Sequence, residues 1–168
     1  MKEIQMQWLE SAPWQSVLSL NEALCKARQT EQKTNPQSCA SVEQMWQAGI
    51  SKQMTLPEAL ELCKKCHDQS PFVFNNGNTF AAIARTLIED WLEMLPPLEA
   101  QIVRTTVAHY VAGMVGKREL LKILDHFEPM LKAGVPAKRS TPPVVAAQPT
   151  KTASPTGAPP IQSAQPSH

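Results

Sequence analysis

Residues 78–116, NTFAAIARTLIEDWLEMLPPLEAQIVRTTVAHYVAGMVG, carry two helix-length apolar patterns divided by Pro96 and Pro97. At about 100° per residue, Phe80, Ala84, Leu87, Ile88, Trp91 and Leu95 fall on one side of a helix and Arg85, Glu89 and Glu93 on the other, as in a surface helix with a core-facing stripe. Arg85 and Glu89, four residues apart, are spaced to pair. Proline disfavours helical backbone in the residue before it, so this pattern ends near Leu95. The next run, Leu98 to Val115, is apolar on opposing sides: Val103, Val107, Tyr110, Val111 and Met114 on one, Leu98, Ile102 and His109 on the other. Such a helix belongs at the centre of a bundle or in a contact between copies. The two runs together predict an antiparallel hairpin at the heart of an all-α fold.

Working outward, Leu120, Ile123, Leu124, Phe127 and Leu131 predict a last helix over 117–132. Upstream, three capping boxes pair Ser19 with Glu22, Ser41 with Gln44 and Thr55 with Glu58. They predict helices near 13–31, 42–49 and 56–68, with Gly49 as a left-handed stop for the second. Phe72, Val73 and Phe74 read as a loop plugging the core, and Asn78 or Thr79 as the cap of the helix that follows. The expectation is a compact bundle of roughly five or six helices within a domain spanning residues 1–135.

Residues 136–168 differ in composition. They hold eight of the fifteen prolines, with Val144, Val145 and Ile161 as the only larger apolar side chains. A segment so poor in apolar surface cannot offset its chain entropy, and it reads as a disordered, solubilising tail. Lys138, Arg139 and Lys151 give it a charge of +3. The remaining 13 basic and 15 acidic side chains leave −2 on residues 1–135. Neither value marks a nucleic-acid or anionic-membrane binder. The opening MKEIQMQWLE lacks the uninterrupted apolar core of a secretory signal, so the expected location is cytoplasmic and the four cysteines are expected to stay reduced.

Within the helix begun by Thr55, the run LCKKCH places Cys63, Cys66 and His67 at a spacing shared by haem-attachment, redox and zinc sites. The stripe Leu56, Ala59, Leu60, Cys63, Cys66 and His67 also reads simply as a core face, since a free cysteine packs as a small hydrophobe. Zinc is the leading chemical alternative. Cys63 with Cys66 or His67 converge from one helix face, and Cys25 and Cys39 are the candidates to complete a tetrahedral metal site. Attached haem, with Met94, Met114 or Met130 opposite the histidine, ranks below zinc because such attachment belongs to exported proteins. A catalytic dithiol ranks equally low, because Cys63 lies two turns inside its helix instead of at the amino terminus.

Arg104 and His109 form an RxxxxH spacing that resembles the motif of the HEPN family of helical ribonucleases. The resemblance covers these two residues, with Thr105 where that motif more usually has an amide or acid. It implies RNA cleavage with both side chains near a phosphate, usually across a dimer. On a single helix the two lie about 140° apart. The acidic group Glu89, Asp90 and Glu93 reads as a solvated face, and the six glycines form no phosphate loop. The expected function is a non-enzymatic protein–protein interaction or adaptor protein that self-associates and needs no cofactor. Trp8, Trp14, Trp46 and Trp91 are the aromatic candidates for interface anchors. A zinc-binding module is the alternative.

Overall fold

The computed structural model describes residues 4–132, with side chains through Pro129. Among them run six helices: α1 (Trp14–Ala27), α2 (Pro36–Ile50), α3 (Leu56–Asp68), α4 (Asn76–Leu92), α5 (Pro97–Val111) and α6 (Lys117–Lys132). The only extended pairings among the described residues are two isolated bridges, Met6 with Met54 and Thr34 with Phe72. The all-α bundle is therefore as the periodicity predicts. The disordered tail expected over 136–168 lies outside the described residues.

Local chemistry sets the helix ends. At α3 the capping box forms: the Glu58 carboxylate accepts the Thr55 amide at 2.7 Å and its hydroxyl at 2.9 Å. The other two boxes do not start helices. Ser19 and Glu22 lie inside α1, and α2 starts six residues earlier than expected. There the Asn35 side chain accepts from the Gln37 amide, and Pro36 fills a first-turn position that has no amide to satisfy. Gly49 does not stop α2. It is buried within the helix, where a Cβ would come 2.4 Å from Leu62 Cδ2, so the glycine allows α2 to sit close against α3. α5 ends earlier than predicted, at Val111. Gly113 adopts φ +77°, and the amides of Gly113 and Met114 return to the carbonyls of Tyr110 and His109. This is the Schellman termination that glycine favours.

α4 is the hub, packing on α1, α3 and α5, while α5 also takes α3 and α6. Its predicted stripe is buried: Phe80, Ala84, Ile88, Trp91 and Leu95 face the core and Leu87 lies at its edge. Phe72 plugs the core from the 71–74 loop, whereas Val73 and Phe74 point outward. Trp14, Phe72, Phe80 and Trp46 close a ring of aromatic contacts with centroids 5.9 to 6.5 Å apart. Each such pair adds about 1 kcal/mol beyond its buried area. Trp8 packs on Trp91 at 6.1 Å. All four tryptophans are thus core residues, which removes them as interface anchors.

Candidate functional site

The five residues expected to form a metal site are spread through the bundle. Cys25 is buried near the end of α1, Cys39 is half-buried in the first turn of α2, Cys63 and Cys66 are fully buried on α3, and His67 is half-buried beside them. Among the described residues, no group of three or more His, Cys, Asp or Glu side chains is placed to hold a metal ion. The α3 thiols of the expected set continue the leucine stripe into the core. Burial pushes Cys66 up to about 12 and raises Cys63 as well, with the neighbouring Cys66 adding to the effect. Burial and then Glu43 raise Cys39 as well. Two sulfurs packed in the core are likewise not presented to a porphyrin edge. Cys25 has local partners instead: its thiol donates to Asn21 Oδ1 at 3.8 Å and its sulfur accepts from Asn75 Nδ2 at 3.4 Å.

Arg104 and His109 do not meet. The Arg104 guanidinium crosses the α4–α5 hairpin to Glu89, with Nη2 2.6 Å from Oε1. It lies in a shallow depression with Arg85 and Thr86. His109 lines a neighbouring hollow, which Arg85 also borders. The predicted Arg85–Glu89 pair is accordingly replaced: Glu89 is taken by Arg104, and Arg85 holds no ion pair among the described residues.

The hollow beside His109 occupies about 440 Å³ where three elements end or begin. Arg28 enters from the residue that follows α1, Arg85 from the third turn of α4 and His109 from the last turn of α5. Among the described residues, no carboxylate lines it. Its floor includes the start of α4, where Asn75 adopts the left-handed φ of 63° and makes no capping hydrogen bond. Sequence reading places the cap at Asn78 or Thr79. The helix begins at Asn76 instead, so Asn76, Gly77 and Asn78 are its first turn. The signal missed was the asparagine run itself, since asparagine tolerates the left-handed conformation that lets a chain turn into a helix.

A buried polar cluster holds this junction in place. Asn21 Nδ2 donates to Thr79 Oγ1 at 3.0 Å and to the Phe74 carbonyl at 2.9 Å, and both Asn21 and Thr79 are fully buried. The Thr79 hydroxyl in turn donates to the Asn75 carbonyl at 2.9 Å. Next to it, α4 passes close to α3: a Cβ on Gly77 would lie 3.5 Å from His67 Cε1. The ends of α1 and α3 are thereby set against the start of α4.

A second surface feature lies on α5. Ala100, Val103, Val107, Tyr110 and Val111 face the core, while Leu98 is 70% exposed and Ile102 40% exposed on the opposite side. With Thr105 and His109 they form one ridge, successive members of which differ by a turn of helix. Met94, in the connection to α5, is also exposed. No described helix is long and apolar enough to cross a membrane. Comparison of the chain with family models, with curated proteins and with solved structures finds no match.

Proposed function

We propose that this chain is a non-enzymatic helical interaction module that self-associates through the outer face of α5. The observation that carries the reading is the pair Leu98 and Ile102, large apolar side chains on the side of α5 turned away from a core that is already complete. A helix whose second face is apolar gains free energy when that face leaves water, about 25 cal/mol per Å² of apolar surface. Two copies meeting across a twofold axis would lay the ridge of one α5 against the same ridge of the other, each side chain contacting its equivalent or near-equivalent. Glu89 and Arg104, already paired at the flank of the ridge, would border such a contact with a neutralised rim. All four cysteines are free, which fits a reducing compartment, and the cytoplasm is the proposed location.

The test is sedimentation of the full chain over a wide concentration range. The wild type is expected to associate, and Leu98→Glu combined with Ile102→Glu to remain monomeric with an unchanged far-ultraviolet dichroism spectrum, since both side chains are exposed. A wild type that stays monomeric into the millimolar range defeats the proposal, that range marking about 4 kcal/mol of association energy.

A further inference from the structure

We propose that the hollow between the end of α1, the start of α4 and the end of α5 is a binding site for a small phosphate monoester, such as a sugar phosphate or mononucleotide. The charge points to an anion. Arg28 and Arg85 hold no ion pair among the described residues, His109 joins them, and no carboxylate lines the space. Arg104, by contrast, is paired with Glu89, and Lys64 with Asp68. Two guanidinium groups brought from different elements to one cavity present the planar, forked donors that match phosphate oxygens.

The backbone adds to this set. The first α4 amide to reach a helical acceptor is that of Thr79, which bonds the Asn75 carbonyl, so the amides of Gly77 and Asn78 precede the helical ladder. No side-chain cap takes their place, because the Asn75 amide group is turned to Cys25. The positive end of the helix therefore reinforces the two arginines.

The size of the hollow argues for more than a bare phosphate. The hollow is open to solvent, and its space of about 440 Å³ is more than a bare phosphate fills. Ala81, Ala108 and Ala112 also line it and offer apolar contact to an organic body. Asn78 donates its Nδ2 to Asn75, which leaves its oxygen to accept from a sugar hydroxyl or a base N–H. The polar cluster of Asn21, Thr79 and Asn75 fixes the floor before any ligand arrives, so little ordering remains for binding to impose.

The experiment is a nitrogen–proton correlation titration of the full chain with inorganic phosphate, ribose 5-phosphate and adenosine 5′-monophosphate in turn. Saturable shifts are expected at the Gly77 and Asn78 amides and at the Arg28 and Arg85 Nε–H groups, with at least one monoester binding about tenfold more tightly than inorganic phosphate. Arg28→Gln and Arg85→Gln should each weaken that binding by about tenfold or more, the loss of one charge-assisted contact. Both side chains are exposed and hold no ion pair among the described residues, so neither change should alter the fold. Three results overturn the proposal: no saturable shift with any probe up to about 10 mM, binding that survives both arginine substitutions, or inorganic phosphate binding as tightly as the monoesters, which would assign the hollow to the free ion.

Discussion

Asn21 shows how much one polar side chain decides in this molecule. It is fully buried, yet it sits on the face of α1 where periodicity alone would place an apolar residue. Its amide serves the Phe74 carbonyl, at the end of the core-plugging loop, and the Thr79 hydroxyl in the first turns of α4. Truncation to alanine would leave the buried Thr79 and the Phe74 carbonyl short of a donor, and each orphaned group costs about 1–3 kcal/mol. We expect Asn21→Ala to lower the unfolding free energy by about 2 kcal/mol, measured by urea denaturation. Asn75 belongs to the same cluster and shows why single positions were hard to read. Its left-handed backbone places the helix cap three or four residues ahead of the predicted one, and nothing in the linear pattern distinguishes Asn75 from Asn76 or Asn78 as the residue that takes that conformation.

Between elements, α3 and α5 are tied by the Tyr110 hydroxyl, which donates to the Glu61 carboxylate, while Lys117 at the start of α6 lies 3.2 Å from the same carboxylate. The hydrogen bond from Tyr110 is the main cause holding Glu61 below its ordinary 4.5, with burial opposing it. Burial first, and the Glu61 bond second, hold Tyr110 above its ordinary 10.0. The signs follow directly. A depressed carboxyl contributes stability that is present above the unfolded value of 4.5 and is lost as pH falls through the folded one. A raised phenol contributes stability that is present below 10.0 and is lost as pH rises through its folded value. Stability should therefore form a plateau between these limits. Tyr110→Phe is expected to flatten both flanks in thermal melts across pH and to lower the plateau by about 1 kcal/mol. At this scale the sequence was most legible. The apolar stripes of α4, α5 and α6 and the Thr55 capping box could be read because they follow from the helical repeat and from side chains within one turn. The starts of α2 and α4 could not, since Asn35 and Asn75 compete with nearby residues of equal capping ability.

For the whole molecule, the readings that failed were those needing one element's position relative to another. Glu89 lies four residues from Arg85 and fifteen from Arg104, yet the hairpin brings the distant partner to it, and Arg85 lines both the depression beside that pair and the hollow. Cys63 and Cys66 face the core together with the leucines of α3, so their local spacing is accounted for by packing. The tryptophans were weighed as anchors for a partner and are instead the hinge pins of the interior. That arrangement has an optical consequence. With every indole shielded from water and paired as Trp8 with Trp91 and Trp14 with Trp46, the native emission should lie toward the blue, and the near-ultraviolet dichroism should carry the signature of coupled rings. Neither the outer ridge of α5 nor the basic hollow contains an indole, so docking at either should leave the spectrum where it was. A red shift on adding any ligand would then report a loosened interior, which makes the protein's own light a built-in control for every substitution described above.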